Sequence, residues 1–187
     1  MNDEVILVSP TGHAIGTCDK LQAHIDGTLH RAFSLMIARP RAGGFELLLQ
    51  KRADHKYHSG AKWSNTCCSH PRPGEELNVA VRRRVKEELG ITQSLELIEL
   101  SSVVYRAELD NGLTENEFDH VFLAIQDEVP ITPNPDEVAD VKWVNVEKIK
   151  RELESTPDRL TAWFPFVFNV VSDYLAEAEN LCGKIAS

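Results

Sequence analysis

Two short segments carry most of the reactive chemistry in this sequence: Asn65-Thr66-Cys67-Cys68-Ser69-His70-Pro71 and Thr114-Glu115-Asn116-Glu117. Between them they supply thiols, an imidazole and two carboxylates, the groups that ligate divalent metals and exchange protons. A metal and a proton-transfer pair sharing one site is the chemistry such a set allows. In an extended chain successive side chains alternate between faces, so Cys67 and Cys68 would face opposite ways while Glu115 and Glu117 share a side.

The elements that must position these groups are legible in outline. Val103 to Leu109 runs into Asn111-Gly112, a pair that tolerates the positive φ of a tight turn, so a return strand would carry Glu115 and Glu117. Val5 to Val8 followed by Pro10-Thr11-Gly12 reads as a strand and a turn, and Leu29 to Arg39 with Phe45 to Arg52 as a hairpin through Ala42-Gly43-Gly44. The spacing of Leu77, Ala80, Val81, Val85 and Leu89 predicts a helix over Glu75 to Leu89, with Gly90 as its stop. Val146 to Leu153 reads as a short helix and Leu160 to Leu181 as a long C-terminal one. Strands and helices mix without a repeating βαβ pattern, which gives an α+β class, and nothing reads as a linker, so residues 1–187 are expected to form a single domain.

Composition narrows the function classes. The 42% apolar and 26% charged content is that of an ordinary globular protein. A formal charge of −9 argues against a nucleic-acid backbone as the main partner, which calls for a basic face. Cys18, Cys67, Cys68 and Cys182 are too few and too unevenly placed for a disulfide framework and are read as reduced thiols. The acidic start Met1-Asn2-Asp3-Glu4 lacks the features of a secretory signal, and no apolar run approaches the ~18 residues of a membrane span. A cytoplasmic protein without a membrane partner is expected, as a monomer or weak homodimer.

The charged face of the predicted helix is unusual. Arg82-Arg83-Arg84 precede Glu87-Glu88, the less favourable order for ion pairs at this spacing, and the last-turn glutamates oppose the helix dipole. A solvated face laced with salt bridges is one reading; a functional cost is the other. Ser69-x5-Glu75-x7-Arg83-Arg84-Val85-Lys86-Glu87-Glu88-Leu89-Gly90-Ile91 resembles the Nudix box, G-x5-E-x7-R-E-U-x-E-E-x-G-U, with every spacing kept. Ser69 replaces its glycine, and Arg84 stands where the box has a glutamate used in metal-assisted diphosphate hydrolysis; a cation there repels Mg²⁺ and attracts phosphate.

That change, with Cys-x-His-Pro opening the box and Glu-Asn-Glu downstream, resembles the type 1 isopentenyl-diphosphate isomerases within the Nudix superfamily. Further motifs stand in that family's order from about Lys20 to Trp163: Lys20-x3-His24, Leu29-His30-x-Ala32-Phe33-Ser34, Tyr105-Arg106-Ala107 and Leu160-Thr161-Ala162-Trp163-Phe164, with Ala162 for the usual proline. The resemblance implies a Nudix fold, a mixed β-sheet flanked by α-helices, and an enzyme that moves a double bond between isopentenyl and dimethylallyl diphosphate. It makes Cys68 and Glu117 the proton-transfer groups, without saying which gives and which takes, and assigns Tyr105 a supporting role. It places the π face of Trp163 beside an allylic cation, an interaction of about 2 kcal/mol when desolvated. It makes His24, His30, His70, Glu115 and Glu117 ligands of one divalent metal, for which Mn²⁺, Mg²⁺ and Zn²⁺ all remain open. It gives the diphosphate to Lys20, Arg52, Lys56 and Arg84, and Glu88 to a second ion, Mg²⁺, bound with the diphosphate. A Nudix hydrolase of nucleoside diphosphate derivatives and a diphosphate-binding module without chemistry are the alternatives.

Overall fold

The computed structural model describes residues 3–185, with side chains except at position 110 and beyond 180, so Cys182 lies outside the described side chains. Cys18, Cys67 and Cys68 are free thiols.

The sheet is mixed, and one strand organises it. β3 (His30–Arg41) carries β8 (Thr114–Ile125) along one edge in parallel, from His30↔Glu117 to Ala38↔Ile125. It also pairs antiparallel, in sequence along its length, with β1 (Glu4–Val8) at Leu7↔His30, with β6 (Cys67–Ser69) and with β4 (Gly44–Arg52). β2 (Ala14–Asp19) extends the sheet beyond β1, β5 (Trp63–Ser64) and β9 (Val138–Asn145) pair with β4, and β7 (Ile98–Glu108) pairs with β8.

The alternation of side chains along these strands divides the core into two apolar layers. Phe33, Leu35, Ile37, Leu48, Cys67 and Phe122 pack with Ala80, Val81, Val85 and Leu89 of α2 (Leu77–Leu89). Met36, Ala38, Leu47, Leu49, Val121 and Leu123 pack on the opposite side with Ile149 of α3 (Val146–Ser155) and Phe164, Val167, Phe168 and Val171 of α4 (Phe164–Ile185). The α+β class, the mixed sheet and the hairpin at Asn111-Gly112, both in the left-handed region at φ 73° and 71°, agree with the sequence reading. Among the described residues no helix is long and apolar enough to cross a membrane.

Two helix starts move inward. α2 begins at Leu77 rather than Glu75, because the Glu75 carboxylate accepts from the Arg72 backbone amide at 2.9 Å and from the Arg83 fork at 2.7 and 2.8 Å. The Arg83 guanidinium holds that carboxyl below the usual carboxylate range. α4 begins at Phe164 rather than Leu160, because Leu160 forms a parallel bridge with Trp63 and the Thr161 amide donates to the Trp63 carbonyl at 2.9 Å. The sequence pattern also missed β2 and α1 (Lys20–Asp26), whose Leu21 and Ile25 are exposed and so show no apolar stripe.

The alternation separates the adjacent thiols. Cys67 opposes Leu35 and lies wholly buried in the α2 layer, whereas Cys68 opposes Ser34 on the other face. Replacing Cys67 with serine puts a hydroxyl among aliphatic carbons and should cost about 1–3 kcal/mol of stability. Denaturant unfolding of Cys67→Ser checks this; an unchanged midpoint would place Cys67 outside the core.

Candidate active site

On the α4 face, the end of the sheet away from the apolar layer is polar. His30 of β3, Glu117 of β8 and Tyr105 of β7 lie side by side across three strands, because His30 and Tyr105 are each in register with Glu117. Glu115 falls two residues earlier on the same face of β8. His70 enters just past the end of β6, and α1 contributes His24. α1 is held by Asp19, which accepts from the Gln22 amide at its start, and by Gly27 at φ 61° at its end.

These five side chains form one cluster, with a ligand atom from each lying within 4.8 Å of every other. The His24 Nδ1 is 2.6 Å from the Lys20 carbonyl and the His30 Nδ1 2.8 Å from that of Thr28. A carbonyl only accepts, so in both rings the proton sits on Nδ1 and Nε2 turns a lone pair inward. There His30 Nε2 is 3.2 Å from His70 Nε2, which is 2.8 Å from Glu117 Oε1. His24 Nε2 and Glu115 Oε2 are 3.1 Å apart, buried, and without a hydrogen-bond partner. Acceptors thus converge with too few donors between them, and the donor set of imidazoles and carboxylates fits a divalent metal ion. Burial opposes charge on His24, but Glu115 outweighs it and raises its proton affinity, whereas burial drives His70 well below the usual histidine range. Tyr105 donates to Glu117 Oε2, and burial together with that carboxylate pushes its phenol well above the ordinary value. Glu117 is held below the usual range: burial raises it, and its neighbours, His30 first and then the Tyr105 hydroxyl, outweigh that.

Beside the cluster opens a polar cleft of about 610 Å³ counted out to the solvent at its mouth. Cys68, Glu117, Tyr105 and Trp163 all line it, as do Lys20, Arg52, Lys56, Arg84 and Glu88, so the structure brings the predicted residues together. Burial pushes the Cys68 thiol up to about 12, with Arg52 opposing and Glu88, Glu117 and Asp119 reinforcing, so the sulfur keeps its proton at neutral pH. Arg84 is already engaged: its guanidinium reaches Glu88 at 2.5 Å, Glu87 at 2.8 Å and Glu137 at 3.4 Å. Lys56 donates to the same Glu137, and Gln50 to Glu88 at 2.9 Å.

The sequence reading missed Glu137, His58 and Asp119. His58 lines the cleft, buried, with its Nε2 3.6 Å from Glu115 Oε1 and its ring against Trp163. Burial lowers it to about 3, so it is neutral. It stands in an irregular loop, where no periodicity marks it. Asp119, fully buried, accepts from Ser34 at 2.7 Å, and burial beside Glu117 raises its carboxyl well above the usual range. The alternation that paired Glu115 with Glu117 extends to it.

Residues 28–164 match the model of the NUDIX domain. The chain is 47% identical over 180 residues to the isopentenyl-diphosphate Delta-isomerase of Aliivibrio fischeri (strain MJ11), covering 95% of this chain and 99% of that one. The chain belongs to this isomerase family. The isopentenyl-diphosphate Delta-isomerase of Photobacterium profundum is also 47% identical, over 94% of this chain and 98% of its own. Among solved structures a Deinococcus radiodurans protein matches with a TM-score of 0.71 over 89% of this chain and 98% of its own, at 15% identity, which supports the fold and nothing finer. The similarity to these isomerases runs over nearly the whole chain, so the His/Glu cluster and the cleft sit inside the matched region.

Metal uptake tests the donor set without reference to activity. Adding Mn²⁺, Mg²⁺ or Zn²⁺ to metal-stripped protein should raise the melting temperature, by an amount that grows with ion concentration. Glu115→Gln should weaken that binding at least tenfold in a calorimetric titration, and unchanged affinity would remove Glu115 from the ligand set.

Proposed function

We infer that this protein interconverts isopentenyl and dimethylallyl diphosphate, as the names of its relatives say of them. The observation that carries the reading is a single cleft lined by a protonated thiol, a carboxylate hydrogen-bonded to a phenol, an indole and four cations. The isomerisation adds a proton at the terminal carbon of the double bond and removes one from the carbon nearer the diphosphate. It therefore needs two proton carriers and an anion clamp, with no oxidant and no hydrolytic water.

Cys68 and Glu117 are the two carriers in this reading. Cys68 holds a proton at neutral pH because burial disfavours the thiolate. Glu117, kept ionised by its neighbours, is poised to accept one, and Tyr105 holds the oxygen that does not face His70. A divalent ion at His24, His30, His70, Glu115 and Glu117, Mn²⁺, Mg²⁺ or Zn²⁺, would hold the carboxylates in place and set their basicity. Lys20, Arg52, Lys56 and Arg84 hold the diphosphate, with Glu88 as ligand to an accompanying Mg²⁺. Trp163, buried against Arg52 at 5.4 Å, turns an indole toward the chain on which positive charge develops.

Arg84 favours this reading over diphosphate hydrolysis, since a guanidinium bound to Glu87 and Glu88 occupies the place of the box's metal-binding acid. Cys68→Ala should lower kcat for isopentenyl diphosphate by about 10²–10⁴-fold while its melting temperature and metal uptake stay near those of the parent. Retained turnover in that variant would dismiss Cys68; phosphate release from nucleoside diphosphate derivatives in place of isomerisation would dismiss the reaction.

A further inference from the structure

A buried hydroxyl outside these motifs connects the thiol to the indole. Ser64, the last residue of β5, is wholly buried and lies at the centre of a polar web between β5, β6 and the segment before α4. The Trp163 indole Nε1–H donates to Ser64 Oγ and to Asn65 Oδ1, each at 3.1 Å. Ser64 Oγ is 2.9 Å from Asn65 Oδ1, 3.1 Å from Thr161 Oγ1 and 3.9 Å from the Cys68 sulfur. The Asn65 amide donates to the Cys67 carbonyl at 3.2 Å, tying the web to the strand that carries Cys68.

Counting donors and acceptors assigns the protons. Asn65 Oδ1 only accepts, so the Ser64 hydroxyl gives its proton there, and its two lone pairs receive the indole N–H and the Thr161 hydroxyl. Both lone pairs and the proton are then used. The Cys68 sulfur therefore lies against an oxygen with no free acceptor and no spare proton, so the thiol proton is not drawn toward the protein. We propose that Ser64 is a positioning residue for the isomerisation: it fixes the Trp163 ring over the reacting carbons and packs against the Cys68 sulfur without taking its proton, which stays available to substrate. The inference rests on the isomerase reading, and it assigns Ser64 no contact with substrate.

The test compares Ser64→Ala, Ser64→Thr, Trp163→Phe and the Ser64→Ala/Trp163→Phe double variant by steady-state kinetics with isopentenyl diphosphate. Ser64→Ala should lower kcat at least tenfold with KM within threefold, because ground-state binding of the diphosphate is untouched. Ser64→Thr, which keeps the hydroxyl, should recover kcat to within threefold of the parent. In the double variant the loss should fall clearly short of the product of the two single losses, since removing the indole N–H removes much of what Ser64 acts on. Should Ser64→Ala not fold, Ser64→Cys keeps the volume with a poorer acceptor and should show the same fall in kcat. An unchanged kcat in the folded variant, a loss confined to KM, failure of threonine to rescue, or losses that multiply would each overturn the proposal. A parent protein that binds prenyl diphosphate without isomerising it overturns the isomerase reading, and the inference with it.

Discussion

Two carboxylates two residues apart on an inner strand, Glu115 and Glu117, are 4% and 7% exposed, and the rest of the site exists to make that burial tolerable. A buried carboxylate without compensation costs several kcal/mol, so such a pair survives only where cations or donors surround it. Tyr105 from β7, His30 from β3, His70 beyond β6 and His24 from α1 surround this pair. Strand pairing brings these segments together: β3 pairs with β8 from His30 to Ala38 on one edge and with β1, β6 and β4 on the other, and β7 pairs with the free edge of β8. The cost of burying the acids and the affinity for a divalent ion are two sides of one arrangement.

The same sheet separates two neighbouring thiols by alternation alone. Cys67 and Cys68 are neighbours in sequence, yet one fills the layer under α2 and the other lines the cleft. Charge follows a similar division. Glu88 and Glu137 neutralise Arg84 and Lys56 within the cleft, so any anion binding there would compete with carboxylates already in place.

Much of this is legible in the sequence, because the informative features are local. Asn111-Gly112 marks the hairpin that returns Glu115 and Glu117, period-two alternation sorts the two thiols, and Gly90 ends the helix of the box. What escaped reading depends on contacts between distant segments. Leu160 leaves the helix for a bridge to Trp63, and Ser64 meets Trp163 across 99 positions of sequence. His58 sits in a loop without periodicity, and the short α1 keeps Leu21 and Ile25 exposed, so neither carries an amphipathic signal. The ligand set came from a resemblance of motifs; spacing alone did not bring His24 and His30 to Glu115 and Glu117.

On the proposed reading, the buried His/Glu cluster and Cys68 move protons on a prenyl chain whose diphosphate stays intact. Proton NMR of isopentenyl diphosphate with this protein in heavy water tests it most directly. Dimethylallyl diphosphate should form with deuterium entering the carbon skeleton, abolished by a chelator and restored by added divalent metal, with no inorganic phosphate or diphosphate released. Phosphate release without exchange, or exchange that persists in metal-stripped protein, would contradict it.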